Sequence, residues 1–366
     1  MKKALIVLLL LALVAGGLFA QFSFSGRVNG GVGFLKAADN DDFLFGGVSR
    51  QLNGGTVRGE VNINATREDG TAGISFRLRA NGAPSGFGGA LNYRWAYAWV
   101  KGLDGLLEVR GGRIQGTPYD LLDTASDGET LFDAYGVMMF VNPIDILSIG
   151  LGAKVSSNLN ATAVAEDTAR GWFGFGVNMD AFSFALQMDF GKDFGNLYAT
   201  ASVKAIDNVA ILFSICAFDL LNDFSDNGEV HIFAQFGFSG IENMSLNLAL
   251  IPKISMVENK DLYFRGWFWL TYSLGNIIPR LDIDFVMAGT HTIRSFYYTG
   301  GIYDQKFNAD MLYVAITPSV KFQVARNCFV DVGILAGIDL GDVPTFAGAK
   351  DTGVNFGGFV DVMVRF

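Results

Sequence analysis

Gly353-Val354-Asn355-Phe356-Gly357-Gly358-Phe359-Val360-Asp361-Val362-Met363-Val364-Arg365-Phe366 is the stretch that decides the fold. Counting back from Phe366, every second residue is apolar or glycine: Val364, Val362, Val360, Gly358, Phe356 and Val354. Between them stand Arg365, Met363, Asp361, Phe359, Gly357 and Asn355. Successive side chains of a strand point to opposite sides, so these two sets occupy the two faces of one strand. One face suits an apolar medium, and the other carries Asp361 and Arg365.

The same period recurs along the chain. In 56–66, Thr56, Arg58, Glu60, Asn62, Asn64 and Thr66 oppose Val57, Gly59, Val61, Ile63 and Ala65. In 309–324, Thr317, Ser319, Lys321 and Gln323 oppose Leu312, Val314, Ile316, Val320, Phe322 and Val324. In 280–288, Arg280, Asp282 and Asp284 oppose Leu281, Ile283, Phe285 and Met287. Period-two segments bounded by turn residues fall near 21–34, 54–66, 71–81, 90–100, 106–113, 134–141, 146–157, 171–179 and 182–190. Nine more lie near 197–205, 209–218, 229–238, 244–255, 262–274, 280–289, 309–324, 328–338 and 353–366. Long connections, such as 35–53, 114–133 and 290–308, alternate with tight turns such as Arg67–Gly70 and Asn142–Asp145.

Composition narrows the class. Gly (46) and Phe (33) are abundant and Pro (7) is scarce, and half of the residues are apolar. Beyond the first residues, no run approaches the ~20 apolar residues of a membrane helix. Apolar content of that order with alternating faces predicts a transmembrane antiparallel β-barrel. A β-sandwich shares the alternation, and a β-helix would show a short fixed repeat, which is not visible.

At the other end, Met1-Lys2-Lys3 is a basic n-region, Ala4–Ala15 is an apolar h-region, and Gly17-Leu18-Phe19-Ala20 offers a cleavage point. Residues 1–20 thus read as a secretory signal peptide and 21–366 as one barrel domain. Cleavage after Gly17 and a membrane-anchor helix are the competing readings. Both ends of the barrel then lie on the periplasmic side, which requires an even strand number. Eighteen is favoured and sixteen is the alternative.

Without Lys2 and Lys3 the balance is 25 basic to 36 acidic residues, or −11, which makes nucleic acid an unsuitable partner. Cys216 and Cys328 fall near opposite membrane faces, so no disulfide joins them. His231 and His291 lack neighbours at metal-ligand spacing. No nucleophile–base pair is evident, and no cofactor or enzymatic activity is expected. The oxygen-rich loop 219–229 departs from the EF-hand order.

A strand ending on an aromatic residue resembles the C-terminal assembly signal of bacterial outer-membrane β-barrels. Phe366, Val364, Val362 and Val360 would be its lipid-facing row, read by the barrel-assembly machinery. With Arg67–Gly70 as the turn, Thr66 is expected opposite Thr71, Asn62 opposite Ser75, Glu60 opposite Arg77 and Arg58 opposite Arg79. Arg94, Glu108 and Arg110 join this inward wall, with Arg113 near the rim and Arg94 one diagonal from Arg110. Tyr93, Trp95, Tyr97 and Trp99 share the opposite face and are expected to point outward, to the lipid and its interfacial girdles. Trp267 and Trp269 share a face with Arg265 and are candidates for the lumen.

The loop 114–133 carries Asp120, Asp123, Asp127, Glu129 and Asp133 and no basic residue beyond the strand end. This arrangement resembles the general diffusion porins, whose third extracellular loop folds into the barrel. The resemblance implies a basic wall of Arg58, Arg77, Arg79, Arg94 and Arg110. It implies an acidic side of Glu60, Glu108, Asp120, Asp123, Asp127 and Glu129, with a transverse field between them. The family's glycine-rich acidic loop motif is absent, Gly116–Asp120 being a loose counterpart. A loop lying outside as a solvated surface segment is the other placement.

The function implied is an outer-membrane porin passing small hydrophilic solutes and ions, set in the lipid bilayer, with a homotrimer as the family's assembly. A channel for hydrophobic substrates and a non-conducting adhesin or structural barrel are the alternatives.

Overall fold

The computed structural model describes residues 20–38, 41–48, 58–81, 92–120, 132–155, 169–191, 195–220, 224, 228–256, 263–288, 311–341 and 351–366. Of the expected signal peptide over 1–20, residues 1–19 lie outside these residues, as does His291. The first strands are β1 (Ala20–Lys36), β2 (Leu44–Val48), β3 (Arg58–Arg67), β4 (Ala72–Asn81) and β5 (Asn92–Gly102). Then come β6 (Leu107–Gln115), β7 (Asp133–Ile144), β8 (Leu147–Val155), β9 (Ala169–Asn178) and β10 (Phe182–Phe190). They are followed by β11 (Gly195–Ile206), β12 (Val209–Phe218), β13 (Glu229–Phe238), β14 (Met244–Ser255) and β15 (Tyr263–Tyr272). β16 (Ile277–Ala288), β17 (Met311–Ala325), β18 (Cys328–Asp339) and β19 (Val354–Arg365) complete the set.

Each strand pairs antiparallel with its sequence neighbour from β3 to β19, and β19 returns to β1. β1 meets β3 over Ala20–Asn29 and β2 over Gly31–Leu35, so β2 and β3 share one place in the wall. The sheet is therefore a closed barrel of eighteen strand positions. Of the expected segment 54–66, residues 58–66 belong to β3 and 54–57 lie outside the described residues; the correction is β2, a strand inside what reads as the loop 35–53.

The closing seam shows why alternation sorts the faces. Val360, Val362, Val364 and Phe366 are 41%, 45%, 39% and 58% exposed, whereas Asp361 and Met363 between them are each 2% exposed. The exposed set faces the surrounding medium, and Asp361 lies inside, opposite Gly31 and Asp331. Gly26 and Phe366 exchange both backbone hydrogen bonds, at 2.8 and 3.0 Å, which finishes the ladder.

The Arg67–Gly70 turn departs from the expected register. Thr66 lies opposite Gly73, Asn64 opposite Ser75, Asn62 opposite Arg77 and Glu60 opposite Arg79, a shift of two residues. Asp69 is the cause. Its carboxylate accepts from the Thr71 hydroxyl at 2.7 Å and the Thr71 backbone N–H at 3.0 Å, and from Arg67 Nη2 at 2.9 Å. These bonds hold Thr71 within the turn and keep the Asp69 carboxyl below its usual range. Because the shift is even, every side chain keeps its face. Cys216 is buried and Cys328 half-buried, and the two are not joined by a disulfide.

A β-carbon on Gly31 would overlap the carbonyl oxygen of Val360 across the seam. Gly31→Ala is expected to lower the stability of the closed barrel by about 1–3 kcal/mol. The check is the urea midpoint for loss of the compact, heat-modifiable gel band in lipid vesicles.

Candidate functional site

The inward wall begins at the seam. Glu60, 4% exposed, accepts from Arg27 Nε at 2.8 Å on one side and from Arg79 Nε at 2.5 Å on the other. Two guanidiniums thereby hold one carboxylate in a fixed place, where a single arginine would leave the wall less rigid. Next to them, Arg77 donates through Nε to Asn62 and lies 3.8 Å over the ring of Trp95. On β6, Arg110 donates to Glu108 at 2.6 Å and sits 4.8 Å over the ring of Phe140. Lys101 Nζ stands 3.9 Å from Glu108. Arg27 is a wall member that sequence reasoning missed, because the β1–β3 register that brings it opposite Glu60 is set across a long connection and not by a tight turn.

The aromatic row of β5 is a correction. Arg77 pairs with Trp95, Ser75 with Tyr97 and Gly73 with Trp99, so these three rings face inward with the arginines. Trp95 Nε1 donates to Ser75 Oγ at 3.1 Å, and Arg110 lies 5.8 Å over Tyr97. The reason is a β-bulge: Leu78 pairs with Tyr93, leaving Arg94 as the extra residue between the two pairs. A bulge resets the parity of the strand that carries it. Arg94 is consequently not one diagonal from Arg110, whose partner is Trp99. Its Nε is buried without a hydrogen bond. Arg58 lies opposite Asn81, above the paired cluster. Arg113 pairs with Ala96 and Tyr135, off the lumenal row, with its guanidinium 5.8 Å over the Tyr135 ring.

The start of the loop after β6 enters the barrel. Gly116, at φ +81°, turns the chain inward, and its N–H donates to the Phe132 carbonyl at 2.9 Å, which closes the base of the loop. Tyr119 is 2% exposed and stacks on Trp172, with centroids 5.7 Å apart. A β-carbon on Gly150, Gly174 or Gly176 would strike the Tyr119 ring. These glycines of β8 and β9 form a socket that no larger residue would leave open. Tyr119 Oη bonds Ser148 Oγ at 2.9 Å, Thr117 Oγ1 donates to Gln187 Oε1 at 2.8 Å, and Gln187 Nε2 donates to Asp120 Oδ1 at 2.6 Å. Phe132, Phe140, Met138 and Ile114 complete the buried cluster.

Asp120 thus faces Gln187 on the β10 wall. Asp123, Asp127 and Glu129 lie outside the described residues. Burial pushes the Asp120 carboxyl up to about 6, against the hydrogen bonds from Gln187 and Thr117 and the attraction of Lys154. Lys154 is itself held by Asp189 at 2.6 Å, with Arg170 3.7 Å from the same carboxylate.

Further ionic groups line the far strands. Arg265 forms a two-bond fork with Asp284, and Arg280 with Asp282. Trp267 and Trp269 share this inward face, with centroids 4.5 Å apart. Glu229 and His231 pair at 3.2 Å. Among the described residues, no group of three or more His, Cys, Asp or Glu is arranged to hold a metal ion.

No family model and no curated protein sequence matches the chain. Solved structures do. An anion-selective porin from Comamonas acidovorans is similar at 12% identity with a TM-score of 0.54, over 95% of this chain and 100% of that one. Pseudomonas aeruginosa OccK11 (OpdR) is similar at 6% identity and 0.51, over 95% and 96%. A triple mutant of Rhodopseudomonas blastica porin is similar at 12% and 0.50, over 94% and 100%. The likeness is one of fold: the protein has the architecture of the bacterial outer-membrane porins.

Tyr119→Ala is expected to weaken loop docking by about 3 kcal/mol and to shift Trp172 emission to the red. Docking also depends on pH. The docked Asp120 carboxyl titrates near 6 instead of 3.8, so docking is strongest below pH 4 and weakens as pH rises through 6. The docking equilibrium should change by roughly a hundredfold over that window. Emission titrations of the wild type and of Asp120→Asn, in which this dependence disappears, check the assignment.

Proposed function

We propose that this protein is an outer-membrane channel through which small hydrophilic solutes and ions diffuse passively. The observation that carries the reading is the ion-paired inward face of a closed barrel whose outer face is apolar. Eighteen-strand barrels are wide enough to leave an aqueous passage, whereas eight-strand barrels are filled by their side chains. A channel for hydrophobic substrates would not line its wall with Arg27, Glu60, Arg79, Glu108 and Arg110.

The narrowest part of the passage is assigned to the stretch between the arginine wall and the inserted loop. Within the paired cluster, Arg27, Arg77, Arg79, Lys101 and Arg110 stand against Glu60 and Glu108, which leaves +3. That excess favours anions. The reading includes export by the segment 1–20, insertion by the assembly machinery through the Phe366 row, and a homotrimer as the working form. No catalytic role is assigned.

A second reading, a structural barrel closed to ions, draws on the aromatic cluster that fills the lumen beside Tyr119. Planar-bilayer recordings of the refolded protein separate the two. Ohmic single-channel steps with anion preference are expected, and their absence would refute the channel. In a salt gradient, Arg77→Ala plus Arg79→Ala lowers the wall from +3 to +1 and should move the reversal potential toward the cation side. An unchanged potential would place the selective stretch elsewhere.

A further inference from the structure

The outer face of the barrel is not an even apolar surface. Across β15–β18 it carries a groove of about 520 Å³ with an almost wholly apolar lining, within the size range of small-molecule sites. Its walls include Leu270 and Tyr272 of β15, Pro279 of β16, Pro318 and Val320 of β17 and Ile334 of β18. Tyr272 and Ile334 are 40% and 50% exposed and Pro318 is exposed too, so the groove opens to the medium that the Val360 row faces.

Two prolines shape it. Pro279 pairs with Val320 and Pro318 with Leu281, and a proline ring reaches less far than Leu, Tyr or Ile, which leaves a depression among them. Each proline also interrupts a ladder. The β15–β16 pairing stops at Thr271–Arg280, beside Pro279, and resumes only at the bridge Leu274–Ile277. The β17–β18 pairing skips from Ile316–Ala336 to Ser319–Gly333, across Pro318. Proline lacks the N–H that a ladder uses and is normally confined to sheet edges and bulges. Here both sit within a closed wall, on adjacent strands, and what they form together is the groove.

The groove also has a direction. At one end Tyr272 adjoins the turn 273–276, and at the other Ile334 lies in the middle of β18. The Gln323 N–H donates to the Asn276 carbonyl at 2.8 Å, which sets this turn against β17. Arg326, exposed in the turn that follows β17, supplies a cation at that same end of the barrel, where Cys328 lies opposite Val364 of the closing strand. The groove therefore runs obliquely from the membrane edge into the hydrocarbon. Tyrosine suits the edge, with an apolar ring and a wet hydroxyl. An apolar slot that begins near a cation and ends at depth complements a hydrocarbon chain with a phosphate at its head. A second barrel would meet the slot with a convex wall and touch its rim.

We propose that this groove holds one acyl chain of a phospholipid, its phosphate toward Arg326, in the leaflet at the C-terminal end of the barrel. The inference rests on the outer-membrane reading for that leaflet and is independent of conduction, since the groove lies outside the lumen.

The test titrates the refolded full-length protein in detergent with dipalmitoylphosphatidylglycerol and counts retained lipid by native mass spectrometry. The wild type should saturate at one phospholipid per barrel. Pro318→Leu fills the groove and restores a ladder N–H, so it keeps the fold. It should raise the half-saturating concentration roughly tenfold, the equivalent of about two buried methylenes lost. Val137→Leu, an apolar addition at an exposed position of β7, should leave it unchanged. Compact gel mobility confirms that each variant is folded. An unchanged midpoint in Pro318→Leu overturns the site, as does an equal rise in Val137→Leu or uptake without saturation. Dipalmitoylglycerol, with the same chains and no phosphate, should bind more weakly, and equal binding overturns the phospholipid assignment. A change of oligomeric state in Pro318→Leu at an unchanged lipid midpoint would give the groove to a second copy of the chain and overturn the site. A barrel that retains lipid and passes no current sinks the channel reading alone, and one that conducts without retaining lipid sinks the groove alone.

Discussion

The β1–β19 seam is the constraint on which the rest of the molecule depends. In hydrocarbon, an open sheet edge leaves a row of N–H and C=O groups with no partner, each costing several kcal/mol. Only a ring removes the edge. The exchange of bonds between Gly26 and Phe366 completes that ring, and closure then dictates the remainder. It separates an outward row such as Val360, Val362 and Val364 from an inward one such as Asp361 and Met363. It also admits charged residues such as Glu60 to positions that would otherwise be untenable. The seam is crowded enough that Gly31 has no room for a β-carbon beneath the Val360 carbonyl.

Charge inside this ring is ordered by pairing. Glu60 lies between Arg27 and Arg79, Glu108 between Arg110 and Lys101, and Asp189 between Lys154 and Arg170. A charge withdrawn from water is tolerable where an opposite charge and further hydrogen bonds replace its hydration. The same pairing fixes each guanidinium, so the charges of the wall stand in a fixed arrangement, with no long side chains left to order. The residues that line this lumen therefore also satisfy one another.

Strand number and faces were legible because the bilayer enforces a period of two, and that period survives in segments such as 309–324 and 353–366. The register was less so. Placing Thr66 opposite Thr71 overlooked Asp69, whose side chain captures Thr71 and lengthens the turn; no hydropathy pattern registers a hydrogen bond of that kind. The bulge at Arg94 had a larger effect, since one extra residue moved Trp95, Tyr97 and Trp99 from the lipid side to the lumen. An arginine within an aromatic run was the available signal, because alternation alone would set Arg94 and Arg77 on one wall and three large rings in lipid. Arg27 escaped notice because its register opposite Glu60 is set across the long connection between β1 and β3, with no tight turn to count from. β2 escaped because Leu-Phe-Gly-Gly-Val is too short and glycine-rich to stand out from a loop.

The inserted loop links these levels. Tyr119 enters only because Gly150, Gly174 and Gly176 leave the wall bare at three adjoining points, so the socket is written in β8 and β9 and its occupant in the loop after β6. Once seated, Tyr119 fills one arc of the lumen with packed rings and leaves other arcs to line the passage. The β1–β6 arc presents a cationic surface with Trp95, Tyr97 and Trp99 interleaved, and the β14–β16 arc presents the Trp267 and Trp269 indoles beside two ionic forks. Electrostatic attraction acts over about a Debye length, ~8 Å at physiological ionic strength, whereas stacking acts only at contact. In the channel reading, a charged solute is therefore drawn toward the first arc before touching it, and the rings interleaved there meet it only at contact.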